Sequence, residues 1–211
     1  MPIEHSLDGI LNTKTKVKII RLFISRTPDF RATGREIARW VKVSPPAAHA
    51  ALKELYNQGI LKLEIIGGQH IYSINEKNRI VSDVLKPLFA KELSFKDDVK
   101  SFLHKEIETS GLKHKLISVV LYGSLQKGQA IEKSDVDIAA IAKDKKDKED
   151  IEDTFLEEIG KRFKEYFGLH LDVYVKSQDE FVKRRKKRLS PVSSLMKSYS
   201  VIFGKDPLEL N

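Results

Sequence analysis

The chain has no cysteine, one tryptophan and two methionines among its 211 residues, and it has no long apolar run. Without cysteine there can be no disulfide, no thiolate zinc site and no thiol nucleophile. No stretch approaches the roughly 18 apolar residues that a membrane-spanning helix needs, and Met1–Glu4 do not begin a secretion signal. The sequence therefore predicts a cytoplasmic protein that does not enter a membrane.

Acidic residues are the minority among the charged side chains. The chain has 30 Asp and Glu against 38 Lys and Arg, a net charge of +8. The excess is largest over residues 1–76, which hold 11 basic and 7 acidic side chains. This balance favours a polyanionic partner without identifying one. Apolar residues make up 41% of the chain, enough for packed cores, and the length suits one large domain or two small ones.

The most informative stretch covers residues 119–138. An apolar, β-branched run ends in Gly123-Ser124, and a polar segment then leads through Ser134–Asp137 into a second apolar run. Apolar runs bounded by glycine are typical of buried strands. The stretch therefore predicts a strand, a tight turn with one or two helical turns, and a second strand.

Two aspartates, Asp135 and Asp137, close this stretch. Alternate residues of a strand project to the same face, so we expect the two carboxylates to lie side by side. Adjacent carboxylates repel each other unless a cation lies between them, and Mg²⁺ or Mn²⁺ is normally shared between carboxylates and substrate phosphates. Gly123 lets the backbone approach a phosphate closely, and Ser124 offers an N–H and a hydroxyl to an anion. The pattern indicates a site for a metal ion and a nucleoside triphosphate.

The complete pattern from Gly123 to Asp137 is Gly-Ser-x-x-x-Gly-x-Ala-x-x-x-Ser-Asp-x-Asp. It resembles the signature of the DNA polymerase β-type nucleotidyltransferase superfamily, especially its small bacterial and archaeal members. The chain departs from that pattern at Gln126, where many small members have alanine, and at Lys127, where arginine is common. The superfamily also needs a carboxylate on a later strand, and Asp172 supplies one because it alternates with apolar residues.

The resemblance implies transfer of a nucleoside monophosphate from a nucleoside triphosphate, with ATP favoured, to an acceptor hydroxyl. Two Mg²⁺ or Mn²⁺ ions would assist the transfer. The catalytic and metal-binding residues would be Asp135, Asp137 and Asp172, of which the first two would bridge both ions and the third would hold the ion that activates the acceptor. The nucleotide and its phosphates would be held by Gly123, Ser124, Lys127 and Ser134. The signature does not identify the acceptor, which could be a protein, an RNA or a small molecule.

The N-terminal part shows three helical patterns followed by two β-rich runs. Helices are predicted over residues 6–26, from a capping box at Thr33 and Glu36, and from Ser44, which is followed by proline, to near residue 59. The runs 60–66 and 69–74 are separated by two glycines, which is a hairpin pattern. This order resembles the winged helix-turn-helix domains of prokaryotic regulators.

In such domains the third helix usually enters the major groove of DNA and the wing follows the backbone. That geometry would direct six residues toward duplex DNA: Arg35, Arg39, Ser44, His49, Lys53 and Gln69. The third helix is rich in alanine and proline, however, and offers few of the side chains that read base edges. Dimerisation or protein contacts are therefore an alternative role for this domain.

Together these patterns predict a two-domain α/β (α+β) protein. It would have a winged helix-turn-helix domain over residues 1–76, a helical connector over 77–111, and a nucleotidyltransferase fold over 112–211 in which helices flank a mixed sheet. The apolar stripe of the connector would be core or, alternatively, a homodimer surface. The basic run Lys183–Arg188 is either a solvated helix face or a site for phosphate or a nucleic-acid acceptor.

Two functions are compatible with these observations. The first is a metal-dependent nucleotidyltransferase coupled to DNA binding and transcription regulation. The second is a DNA-bound transcription regulator whose catalytically inactive second domain senses a nucleotide or binds a partner. The complete set of three aspartates favours the enzyme, because neighbouring carboxylates that serve no purpose destabilise a fold.

Overall fold

The structure is a computed structural model that describes residues 6–129 and 134–211. The chain divides into two compact units, Met1–Ser94 and Phe95–Asn211. Each unit has apolar cores of its own. The segment 77–111, predicted as a connector, is divided between them, since its first helix packs in the first unit and its second helix in the second.

The first unit combines short helices with a three-stranded sheet. Its elements are α1 (Ser6–Ile10), α2 (Lys14–Ile24), β1 (Arg31–Thr33), α3 (Gly34–Val41), α4 (Pro45–Asn57), β2 (Leu61–Ile66), β3 (Gln69–Ile74), a π-helical turn (Val81–Leu85) and α5 (Lys86–Leu93). The strands are antiparallel in the order β1-β3-β2. Helices α2, α3 and α4, followed by the β2-β3 hairpin, confirm the predicted winged helix-turn-helix fold.

Local sequence explains where these elements begin. The Thr33 hydroxyl accepts from the Glu36 backbone N–H while the Glu36 carboxylate accepts from the Thr33 N–H, which is the predicted capping box. The Ser44 hydroxyl caps α4, whose first residue is proline. The helical segment predicted over residues 6–26 contains two helices, and Thr13 is the N-cap of the second, which begins at Lys14. Strand β1 was missed, since three residues carry no usable period.

The hairpin turn and the core complete this unit. Gly67 and Gly68 both have positive φ, 56° and 76°, as a two-residue hairpin turn requires. Apolar side chains from the helices and the sheet meet in one core, whose large fully buried members are Ile19, Ile20, Phe23, Ile37, Leu52, Leu55 and Ile60.

The second unit is built on a four-stranded sheet. Its elements are α6 (Phe95–Thr109), β4 (Leu116–Leu121), α7 (Gly123–Gln126), β5 (Val136–Ala142), α8 (Lys148–Thr154), a π-helical turn (Phe155–Ile159), α9 (Gly160–Phe167), β6 (Leu171–Ser177), α10 (Gln178–Lys186), α11 (Val192–Leu195) and β7 (Ser200–Gly204). The strand order is β6-β5-β4-β7. The β5-β6 pair is parallel and the other two pairs are antiparallel, so the predicted mixed sheet is confirmed.

Helices cover both faces of this sheet. Side chains of α6, α8 and α9 pack on one face with the inward residues of β4 and β5. Phe181 and Val182 of α10 and Val192 and Leu195 of α11 pack on the other face. Asp137 alternates with Ile138, which belongs to the first face, and therefore points toward the face that α10 and α11 cover.

Two local features complete this unit. Helix α8 begins at Lys148, whose side chain pairs with Glu180 at 3.0 Å. The last helix is a single turn that ends at Leu195, because the chain must become extended again to enter edge strand β7.

Among the helices of residues 6–129 and 134–211, none is both long and apolar enough to cross a bilayer.

Candidate active site and nucleic-acid interface

The carboxylates of the candidate site lie where β5 and β6 begin. Asp137 and Asp172 are register partners in this parallel pair, so their side chains lie on neighbouring strands and on the same face of the sheet. Asp137 is half-buried, whereas Asp172 is exposed. Asp135 is also exposed and precedes β5, so it belongs to the approach to the strand and not to the strand itself.

The turn after β4 is shaped around Asp137. Gly123 has a φ of 74°, and a Cβ built on it would lie 1.8 Å from Oδ2 of Asp137 and 2.6 Å from its Cγ. The carboxyl group therefore occupies the space that any side chain at position 123 would need. The Tyr122 backbone N–H also donates to the Asp137 carbonyl at 3.0 Å. The turn at Gly123 and the carboxylate of Asp137 are thus one packed feature.

Among the described residues, the surroundings of Asp137 disfavour its charged form. Burial raises the pKa of this carboxyl above its usual range, and the charges of Asp172 and Asp135 raise it further. A hydrogen bond from the Ser124 backbone N–H and the charge of Lys127 act in the opposite direction but do not cancel the rise. A cation near these carboxylates would favour the charged form of Asp137.

Within the described residues, no three His, Cys, Asp or Glu side chains lie close enough together to hold a metal ion as they stand. The pair Asp137 and Asp172 nevertheless fits a divalent cation by its chemistry. Both are hard oxygen donors of the kind that Mg²⁺ and Mn²⁺ prefer, and their mutual repulsion already raises the pKa of Asp137. Asp135 is near enough to contribute charge to the same place.

The predicted phosphate-binding residues surround this carboxylate. Ser124 lies in the single turn of α7, and Lys127 follows that turn with an exposed side chain. Ser134 is half-buried just before β5. Residues 130–133 of the signature lie outside the described part of the chain.

Two tyrosines beside the carboxylates were not predicted as part of the site. The pKa of Tyr122 is raised to about 12 by burial, by the charges of Asp137 and Asp172, and by Tyr174. Tyr174 lies two residues after Asp172 on β6, and its buried hydroxyl has no hydrogen-bond partner among the described residues. The alternation of β6 places Tyr174 on the Asp172 side, and Tyr122 directly precedes Gly123, so both positions carried a usable signal.

Two other contacts hold the phosphate turn in place. The Ser200 hydroxyl donates to Oε1 of Gln126 at 2.9 Å, which ties α7 to edge strand β7. Lys96 of α6 reaches the Gln126 carbonyl at 3.4 Å. The Gln126 side chain, which departs from the signature, is therefore used as a hydrogen-bond acceptor. No sequence pattern could have shown these contacts, because Ser200 and Lys96 are 74 and 30 residues away along the chain.

The first unit contains a separate cleft of about 780 Å³ between α3, α4 and the wing. Four of the six predicted DNA-binding residues line it together: Arg35, Arg39, His49 and Gln69. Ser44 and Lys53 are exposed on or beside α4 but are not among its lining residues. His70, the neighbour of Gln69 on the wing, also lines the cleft and was not predicted.

The chain was compared with solved structures. An antimony-specific transcriptional repressor, AntR, is 18% identical, with a TM-score of 0.35, over 45% of this chain and 78% of that chain. HlyU from Vibrio cholerae N16961 is 13% identical, with a TM-score of 0.33, over 44% and 95% of the two chains. The homodimeric winged helix-turn-helix DNA-binding domain of a possible ArsR-family transcriptional regulator from Mycobacterium bovis is 17% identical, with a TM-score of 0.34, over 46% and 82%.

No curated protein matches the chain. The family model described as "Nucleotidyltransferase domain" matches residues 103–195, a range that contains the Gly123–Asp137 turn and both register-paired aspartates. Residues 103–195, a little under half of the chain, are therefore similar to the nucleotidyltransferase domain family.

Proposed function

We propose that the second unit transfers a nucleoside monophosphate from a nucleoside triphosphate to an acceptor hydroxyl and releases pyrophosphate. The observation that carries this proposal is the packing of Gly123 on Asp137 beside Asp172. A backbone turn that can approach phosphates is built directly onto a carboxylate pair that needs a cation. Transfer to a hydroxyl needs these two features in the same place.

In this proposal Asp137 and Asp172 hold divalent cations together with Asp135, and the cations supply charge stabilisation of the attacking and leaving oxygens. Gly123 leaves its backbone open to the phosphates, while Ser124 and Lys127 offer donors to them. Ser134 binds the nucleotide from the other side of the turn. Tyr122, whose pKa is about 12, stays protonated at neutral pH and adds no negative charge to the site.

The Ser124 backbone lies beside the Asp137 carboxyl and favours its charged form. Mg²⁺ is normally shared between carboxylates and substrate phosphates. Metal and triphosphate binding should therefore be mutually favourable, and each should be measurably weaker alone.

The transfer itself is tested by the Asp137→Asn variant in a pyrophosphate-release assay with each nucleoside triphosphate and Mg²⁺ or Mn²⁺. We expect the variant to lose roughly 10²-fold or more in rate while remaining folded, since it loses a metal-binding charge but keeps its size. Asp153→Asn is the matched control, because Asp153 is an exposed aspartate on α8. Near-normal rates in Asp137→Asn would contradict the proposal.

A catalytically inactive sensor is the second candidate, and one observation favours it. The described residues contain no ready three-ligand metal cluster. Titration calorimetry with ATP and the other triphosphates, with and without Mg²⁺, separates the candidates. Saturable binding without pyrophosphate release on a panel of protein, RNA and small-molecule acceptors would establish the sensor in place of the enzyme.

For the first unit we propose binding of duplex DNA through the cleft between α3, α4 and the wing. The supporting observation is that Arg35, Arg39, His49 and Gln69, which come from three different elements, line that one cleft. Arginine and glutamine are side chains that read base edges, and arginine also binds phosphates. Affinity for a labelled duplex that falls steeply with salt would support this role, and no duplex binding at low salt would exclude it.

A further inference from the structure

The longest stretch of one-sided charge in the chain lies in the second unit and is not used by the proposed transfer. Residues 181–205 contain no Asp or Glu, and they hold eight basic side chains: Lys183, Arg184, Arg185, Lys186, Lys187, Arg188, Lys197 and Lys205. Six of them are consecutive and run through the last turn of α10 and just beyond it. Such a concentration of charge repels itself unless a partner of opposite charge binds there.

Two members of this run have structural roles. Arg185 donates to the carbonyls of Pro207 and Leu210, which holds the end of the chain against α10. Arg184 donates to the Ser190 carbonyl at 2.9 Å. These two arginines are therefore committed to the fold.

The other members have no such role. Lys183, Lys186, Lys187 and Arg188 are exposed, and no hydrogen bond or ion pair engages their side chains within residues 6–129 and 134–211. Several other helix cations of the same unit are paired, as in Arg162 with Glu106 at 2.7 Å. The end of α10 differs in that its unpaired cations are close together in sequence.

Three of these lysines share one concave surface. Lys183, Lys186 and Lys187 are spaced i, i+3 and i+4, so they lie on one side of the helix. They line a cleft of about 410 Å³ together with Val182, Asn211 and one acidic residue, Asp179, so basic side chains outnumber acidic ones there by three to one. We propose that this cleft, the α10 cleft, binds the phosphodiester backbone of a single-stranded nucleic acid. About one helical turn, roughly 5 Å along the axis, separates Lys183 from Lys186 and Lys187, which allows successive phosphates to be contacted. The cleft is too small to receive a whole duplex.

The structure also favours a nucleic acid over a lipid surface. A helix that lies in a membrane interface needs an exposed apolar face beside its basic one. The apolar residues of α10, Phe181 and Val182, are instead buried in the core. None of the side chains that line the α10 cleft is aromatic, so base stacking contributes little and binding should not depend on base sequence.

The test uses the full chain and fluorescence anisotropy with labelled 20-nucleotide single-stranded RNA, single-stranded DNA and duplex DNA. The variant is Lys183→Gln/Lys186→Gln/Lys187→Gln. The matched control is Lys145→Gln/Lys146→Gln/Lys164→Gln, which removes three exposed lysines from the same unit. We expect the α10 variant to bind single strands at least ~10-fold more weakly and to lose about 2 from the slope of log affinity against log salt, as three phosphate contacts predict. The control should change neither quantity.

Three results would overturn the proposal. The wild type could fail to bind single strands at low salt, the control could lose as much as the α10 variant, or the α10 variant could lose duplex and single-strand affinity alike. Vesicles of phosphatidylglycerol give a fourth arm. Binding to them that depends on the α10 lysines, with nucleic-acid binding unchanged, would assign the cleft to lipid headgroups. Circular dichroism of each variant distinguishes lost binding from lost folding.

Discussion

The two units hold their candidate ligands in different ways. In the second unit, the residues of the site fill one another's space, since the Asp137 carboxyl occupies the position of a Cβ at Gly123. In the first unit, an open cleft is lined by exposed ends of side chains such as Arg35 and Arg39. Packing leaves few alternatives at a position, whereas surface charge can be removed one step at a time. We therefore expect abrupt losses in the second unit and graded losses in the first.

The largest effect is expected from Gly123→Ala. The new methyl group would lie 1.8 Å from Oδ2 of Asp137, and the backbone φ of 74° is unfavourable for any residue with a Cβ. Asp137 or the turn must move, so we expect metal-dependent triphosphate binding to fall by ~10²-fold or more and the free energy of unfolding to fall by roughly 2–4 kcal/mol. Titration calorimetry and chemical denaturation measure the two losses.

Gly128→Ala is the control for that substitution. Gly128 has a similar φ of 66°, but a Cβ there would meet no atom of the described residues within 4 Å. It should therefore show only the backbone strain, about 1–2 kcal/mol, with triphosphate binding retained. Equal loss of binding in both variants would mean that the turn depends on glycine flexibility and not on the fit to Asp137.

The next prediction concerns pH and Asp137→Asn. At neutral pH without metal, this substitution should stabilise the protein, whereas Gly123→Ala should destabilise it. The raised pKa of Asp137 means that the folded protein binds this proton more tightly than the unfolded chain does. The contribution of Asp137 to the free energy of unfolding is therefore fully present below the ordinary aspartate pKa of ~3.9. It is lost as the pH rises through the higher pKa that this carboxyl has in the folded protein. With EDTA at neutral pH, Asp137→Asn should melt at a higher temperature than the wild type, and the difference should vanish near pH 3.

Mg²⁺ sharpens this prediction. It should raise the melting temperature of the wild type, because it relieves the repulsion among Asp135, Asp137 and Asp172, and it should raise that of Asp137→Asn much less. Scanning fluorimetry with and without Mg²⁺ measures both shifts. An Asp137→Asn variant that melts below the wild type at neutral pH without metal would show that the carboxylate stabilises the fold in the free protein.

The sequence could predict the features that depend on local patterns but not those that depend on contacts between distant segments. The turn at Gly123 and the strand of Asp172 were predictable, because glycine, alternation and apolar runs are local signals. So were the caps at Thr33 and Ser177, each of which has a glutamate three residues later. The position of Asp135 before β5 and the contacts of Gln126 were not predictable, because they depend on where distant segments meet. The cleft of the first unit likewise forms where three elements meet. The sequence alone therefore could not show that Ser44 and Lys53, unlike the other four predicted DNA-binding residues, do not line it.

A smaller, graded effect is expected in the first unit. Arg39→Gln removes one of the cations of the cleft and should weaken duplex DNA binding by about 10-fold, within the 1–3 kcal/mol typical of such a contact. If Arg39 contacts a phosphate, the salt slope should fall by about 0.9, and if it contacts a base, the loss should depend on DNA sequence. Lys77→Gln is the control, because Lys77 is exposed in the same unit and does not line the cleft. Anisotropy titrations with both variants decide whether the cleft carries the interaction, and equal losses would assign binding to net charge alone.

The smallest effect tests whether packing alone specifies the second site. The hydrogen bond of 2.9 Å between the Ser200 hydroxyl and Gln126 joins the phosphate turn to edge strand β7. Ser200→Ala and Gln126→Ala should each cost about 1 kcal/mol of unfolding free energy, and a double-mutant cycle should show that the two costs are coupled. If the fit of Gly123 to Asp137 is enough to hold the turn, triphosphate affinity should change less than ~3-fold in both variants. That limit corresponds to a loss of about 0.6 kcal/mol or less in binding free energy. A loss of affinity as large as that of Gly123→Ala would instead show that the turn is positioned from β7, and the two units would then differ less than their packing indicates.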